Sequence, residues 1–155
     1  MPSHPVPSGF TRAVSPFTAS EWELLVRLPG RVVVAATNAG VPRRTVAEGL
    51  AGLEAMAAGR IFDSDLVRAV VAGIYAENLQ TEYPTGAADV LSDCRTAAEI
   101  LRRRADPADG AAYRQWIQSI AARVCAGTAS GRTPEQLGPT DRRFLADLGH
   151  SLGMR

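Results

Sequence analysis

Between Ala87 and Ala105, apolar side chains recur at Val90, Leu91, Cys94, Ala97, Ala98 and Leu101, a spacing of three and four that gathers them on one face of a helix. The same spacing returns along most of the 155-residue chain and limits the fold more than any other feature. Trp22, Leu25, Val26 and Leu28 form one such stripe, and Val46, Leu50, Leu53 and Met56 or Ala57 form another. Leu66, Val67, Val70, Val71, Ile74, Tyr75 and Leu79 mark a wider face, which predicts a central helix. Tyr113, Trp116, Ile117, Ile120, Ala121, Val124 and Cys125 follow, and Phe144, Leu145, Leu148 and Leu152 close the series. Val32-Val33-Val34 alone would suit a strand, but no partner strand is legible elsewhere, so helix is expected there too. The expectation is an all-α, single-domain bundle of six or seven helices.

Punctuation between the stripes sets the predicted boundaries. Thr18-Ala19-Ser20-Glu21 has the order of a capping box, with Thr18 as N-cap and Glu21 three residues on. Pro29 lacks a backbone donor, which predicts a break at Leu28 and a second helix opening on Pro29. Thr45 and Ser64 are the expected caps of the next two helices, with Gly59 closing the first of them. Arg102, Arg103 and Arg104 finish the Ala87 helix, where positive charge offsets the negative end of the dipole. Asp106-Pro107 is expected to stop it, with Asp109 or Gly110 opening another and Thr140 and Asp141 the last. Residues 1–17 hold Pro2, Pro5, Pro7 and Pro16 among serines and read as an extended arm, leaving 18–155 as the bundle domain.

Charge and residue usage exclude several chemistries. The 17 basic residues are all arginine and stand against 16 acidic ones, for a net charge of +1. That balance offers no field for a polyphosphate, so nucleic acid is an unlikely partner. Without a lysine, Schiff-base catalysis, pyridoxal phosphate attachment and a P-loop are ruled out. Cys94 and Cys125 fall on apolar helix faces and read as buried thiols, although a single pairing between them stays open. No apolar run reaches the roughly 18 residues of a membrane span. The first residues lack the basic-then-apolar order of a secretory leader, which makes the expected location cytoplasmic.

Reactive clusters are scarce. His4 sits in the arm and His150 at the end of the last helix, neither placed to serve a nucleophile. Zinc sites want paired Cys and His at short spacing, which this sequence lacks. Asp63 and Asp65 suit a helix N-terminus, and Asp89 and Asp93 a solvated face. No catalytic residue, metal ligand or cofactor is therefore assigned. Trp22, Tyr75, Tyr113 and Trp116 fall at core spacing, whereas Phe10, Phe17 and Tyr83 do not and read as partner contacts.

An internal echo joins Trp22-Glu23-Leu24-Leu25 and Arg31-Val32-Val33-Val34-Ala35-Ala36-Thr37 to Trp116-Ile117-Gln118-Ser119-Ile120 and Arg123-Val124-Cys125-Ala126-Gly127-Thr128. Ala35-Ala36-Thr37-Asn38-Ala39-Gly40, with Glu48 beyond it, resembles the TerB-like tellurite-resistance family of bacterial all-helical proteins. In that family a helix of small apolar residues runs into an Ala-Asp-Gly turn, and an acidic residue follows on the next helix. The resemblance covers about residues 18–60 and the 113–150 echo, and it implies a bacterial helical domain with a stress-related role. Asn38 stands where the family has its turn aspartate, and an extra alanine precedes Gly40, so the family's acidic metal site does not carry over.

Two functional readings follow. The first is a non-catalytic cytoplasmic domain that associates with a protein partner or with itself, through Phe10, Phe17, Tyr83, Arg102, Arg103 and Arg104. The second is a small-molecule pocket between helices, with or without an unusual enzyme activity. Its walls would be Tyr75, Glu77, Tyr113 and Trp116, with Arg95 orienting an anionic group. Nucleic-acid binding through Arg102 to Arg104 is a minor third reading and predicts steep salt dependence.

Overall fold

The computed structural model describes residues 16–39, 46–76, 87–126 and 138–154. They form six α-helices: α1 (Ala19–Ala39), α2 (Val46–Ala57), α3 (Asp65–Ala76), α4 (Ala87–Arg104), α5 (Pro107–Ala126) and α6 (Pro139–Ser151). A 3-10 turn, Ala58–Ile61, joins α2 to α3, and no strand occurs among the described residues. The chain is an all-helical bundle, as the apolar spacing predicts. Residues 1–15, 40–45, 77–86, 127–137 and 155 lie outside the described residues, and with them the expected extended arm, the Thr45 cap and most of the expected loop.

The caps show how local sequence starts these helices. At α1, the Thr18 backbone N–H donates to Glu21 Oε1 at 2.8 Å, and the Glu21 N–H donates to Thr18 Oγ1 at 3.2 Å. This reciprocal pair is the predicted capping box. Ser64 caps α3: its Oγ accepts the Val67 N–H and donates to Asp109 Oδ1 at 2.8 Å, tying the start of α3 to α5. Asp106-Pro107 does more than stop α4. Asp106 Oδ2 accepts the Ala108 N–H at 3.0 Å, so α5 opens on Pro107, earlier than the expected Asp109 or Gly110. At the far end of α6, Gly153 adopts φ +76° while Gly153 N–H bonds His150 O and Met154 N–H bonds Gly149 O. That pattern is a Schellman closure, which needs a residue free to enter the left-handed region.

Pro29 does not break α1. The helix runs 21 residues straight through it. Proline deprives the Leu25 carbonyl of its usual i+4 donor, and a buried orphan carbonyl is costly. Here the Tyr113 hydroxyl donates to Leu25 O at 2.8 Å and removes that cost. Sequence spacing gave no sign of this repair, because its two partners lie 88 residues apart.

The core is built around α1 and α5, each of which packs against α2, α3, α4 and α6 as well as against the other. The wide stripe of α3 predicts a central helix, but α3 packs on α5, the 3-10 turn and α1 and not on α4 or α6 to the same extent. Buried side chains come from every helix, including Leu25, Leu28 and Val32 of α1, Leu66 and Val70 of α3, Cys94 and Leu101 of α4, and Ile117 and Ile120 of α5. Arg31 and Asp93 pair at 2.6 Å between α1 and α4. Asp93 is therefore part of a helix–helix junction and not of a solvated face. Among the described residues, no helix is long and apolar enough to cross a membrane.

Candidate functional site

Tyr113 and Trp116 were the aromatic wall of the expected ligand pocket. Both are 0% exposed and meet edge to face, with ring centroids 5.8 Å apart. Their polar atoms are used inside the protein: Tyr113 Oη bonds Leu25 O, and Trp116 Nε1–H donates to Ala55 O at 3.3 Å. A Cβ on Gly59 would sit 2.7 Å from Trp116 Nε1, so the 3-10 turn closes directly over the indole. Burial foremost, and then the neighbouring Cys94, pushes the Tyr113 phenol well above its ordinary range. The Cys94 thiol is pushed up to about 12, again by burial first and by Asp93 second. Neither group ionises near neutrality, and Cys94 and Cys125 are both buried with no disulfide between them.

Tyr75 and Arg95, the other described residues of the expected site, lie at the surface. Tyr75, expected in the core, is 55% exposed at the end of α3, with the Arg60 guanidinium 5.8 Å above its ring. Its ring lies one position past Ile74, the last buried residue of the α3 stripe, and a helix turns about 100° per residue. Arg95 is exposed on α4. Glu77 lies outside the described residues.

The arginine cluster at the end of α4 has internal partners. Arg102 pairs with Glu99 one turn back, while Arg103 and Arg104 reach Glu21 at 3.8 and 3.5 Å. The carboxylate that caps α1 thus also anchors the end of α4. The Thr18 backbone N–H foremost lowers the pKa of Glu21; burial opposes it, and Arg104, the Thr18 hydroxyl and Arg103 add to the lowering. Phe17 is partly buried and packs 6.0 Å from the Trp22 ring. Phe10 and Tyr83 lie outside the described residues. Of the partner-binding residues expected from sequence, Phe17, Arg103 and Arg104 serve packing within the chain.

Other polar features have local explanations as well. Asp65 pairs with Arg68, Asp63 and Asp89 are exposed, and His150 is exposed beside the Schellman closure. Among the described residues, no group of three or more His, Cys, Asp or Glu side chains gathers as for a metal ion. A cleft of about 110 Å³ lies between Phe17, Leu66 and the carboxylates of Asp65, Asp106 and Asp109. Those carboxylates are held by Arg68, the Ala108 N–H and the Ser64 hydroxyl respectively. A wider depression of about 400 Å³ between α5 and α6 is lined by Gln118, Leu145, Ala146, Gly149, His150 and Met154. Gln118 Nε2 donates to Leu145 O at 3.0 Å, and its Oε1 is buried with no hydrogen-bond partner.

The surface feature that sequence reasoning missed lies on α2. Leu50 and Leu53 were expected in the core, yet they are 53% and 42% exposed. The buried side of α2 is instead Ala51, Gly52, Ala55 and Met56. Gly52 lies so close to α5 that an added Cβ would meet Val124 Cγ2 at 2.4 Å. Small residues let the two backbones approach, and that approach turns the leucines outward. The signal in the sequence was the Ala51-Gly52 pair with Ala55 one turn on, a stripe of small side chains competing with the leucine stripe. Ile61 in the 3-10 turn is 88% exposed, and the guanidinium of its sequence neighbour Arg60 lies over the Tyr75 ring. Glu54 of α2 pairs with Arg123 of α5 at 3.8 Å.

Comparison with known proteins returns no matching family model, no matching curated protein and no matching solved structure.

Proposed function

We propose that this chain is a non-catalytic association domain that docks a protein through the outward face of α2 and the 3-10 turn. The observation that carries this reading is the exposure of Leu50, Leu53 and Ile61 beside a core whose aromatic side chains are fully packed. Leu50 and Leu53 stand three apart on one face of α2, and large apolar side chains grouped on a surface mark interaction sites more often than scattered single residues do. Tyr75 with Arg60 supplies an aromatic and a cation of the types enriched at protein interfaces. The proposed location is the cytoplasm, which the lack of a membrane-spanning helix among the described residues supports, and the bacterial, stress-related role rests on the TerB-like resemblance alone.

The competing reading, a ligand pocket walled by Tyr75, Glu77, Arg95, Tyr113 and Trp116, has less support, because Tyr113 and Trp116 present no surface. Incorporating a photo-crosslinking amino acid in place of Leu53 in cells making the chain tests the proposal, with the exposed Ala146 of α6 as control position. A discrete protein adduct at Leu53 and none at Ala146 is expected. Equal or absent labelling at both positions would sink the association reading.

A further inference from the structure

We propose that α1 is a latched hinge: its first half, residues 19–28, opens as a unit at Pro29-Gly30 while its second half stays docked, and the Tyr113 hydroxyl is the latch. Proline has no N–H, so one rung of the backbone ladder is missing near the middle of this 21-residue helix. Gly30 follows at once, with nothing within 4 Å of an added Cβ, so neither a side chain of its own nor a neighbour stiffens the joint. Helices bend at such places, and a few residues of this kind suffice for a hinge.

The two halves are anchored to different parts of the bundle. In the first, Glu21 pairs with Arg103 and Arg104 at the end of α4, and Val26 lies 3.0 Å from where a Cβ on Gly73 of α3 would sit. In the second, Arg31 pairs with Asp93 in the first half of α4, and Val33 lies 3.2 Å from a Cβ placed on Gly52 of α2. The first half can therefore leave α3 and the end of α4 while Val33 keeps its contact with α2. What bridges the missing rung is the bond from Tyr113 Oη to Leu25 O at 2.8 Å, made from α5 to the turn just before the proline. Losing it leaves a buried carbonyl without a donor, so the closed state and the tyrosine bond stand together. Opening uncovers the Gly73 side of α3 and the Tyr113 hydroxyl, a second state that does not depend on what docks on α2.

Native-state hydrogen exchange of the full chain, resolved by residue with NMR across low denaturant, tests the hinge. The backbone N–H groups of residues 24–28 should exchange through one shared opening. That exchange should be about tenfold or more faster than at residues 33–37 and less sensitive to denaturant. Tyr113→Phe should speed exchange in the first half by about tenfold or more, since a buried acceptor loses its donor. Pro29→Ala restores the rung and should narrow the gap between the halves. One opening common to both halves of the parent chain overturns the hinge. So does a gradient rising turn by turn from Trp22, which is ordinary end fraying, or a gap that Pro29→Ala leaves unchanged. Unchanged first-half exchange in Tyr113→Phe overturns the latch. The parent chain decides hinge against fraying by itself, whether or not either variant folds.

Discussion

The Tyr113 hydroxyl donates to the Leu25 carbonyl at 2.8 Å, the carbonyl that Pro29 leaves without its helical donor. Side chain and proline are thus coupled through one backbone oxygen. The full burial of Tyr113 makes that oxygen inaccessible to any ready substitute from solvent. Tyr113→Phe should cost about 1–3 kcal/mol in chemical denaturation, because it leaves a buried acceptor unpaired. In a Pro29→Ala background the helix recovers an N–H for Leu25 O, and the same substitution should cost clearly less. A double-mutant cycle measures the difference. Equal costs in the two backgrounds would show that the bond does not compensate for the proline.

Two glycines should respond to alanine with opposite signs. At Gly52 a Cβ would overlap Val124 Cγ2 of α5 and crowd Val33 of α1. Overpacking of that kind costs typically about 1–3 kcal/mol. Gly30 lies within α1 with nothing within 4 Å of an added Cβ. There alanine should stabilise by about 0.4–1 kcal/mol, by reducing the freedom of the unfolded chain. Thermal unfolding of the two variants beside the parent chain checks both signs.

Glu21 makes stability depend on acid. Its pKa is lowered in the folded protein, chiefly by the Thr18 backbone N–H, from an ordinary value of 4.5. The unfolded chain therefore binds the proton first as pH falls, so this contribution is present above 4.5 and is lost as pH drops through the folded value. Glu21→Gln should flatten the unfolding free energy in that window while leaving its slope elsewhere unchanged. Thr18→Ala, which removes the cap oxygen, should cost about 1 kcal/mol at neutral pH. Denaturant titrations across the acid range separate the two effects, and an unchanged acid slope in Glu21→Gln would remove Glu21 as its source.

Neither thiol should react in the native state. Cys94 is fully buried with its pKa pushed up to about 12, and Cys125 is fully buried too. Thiolate is the reactive form, so iodoacetamide at neutral pH should leave both unlabelled and modify both once guanidinium unfolds the chain. Rapid native labelling of either would place it in a region that opens locally.

Much of the architecture is a local property of the chain. The recurrence of apolar residues at three and four determined that it is helical, because residues so spaced share a face whatever they later pack against. Thr18-Ala19-Ser20-Glu21 and Ser64 determined where α1 and α3 begin, since a cap closes within one turn of its own backbone. Tertiary structure decided what depended on a distant partner. Pro29 stays inside α1 because Tyr113 arrives from another helix. Leu50 and Leu53 face outward because Gly52 admits α5 more closely than either leucine would. Arg103 and Arg104 are anchors and not free charge because Glu21 lies across from them. Spacing along a chain fixes which side chains share a face, but which face is buried is settled by the contact that brings two backbones closest.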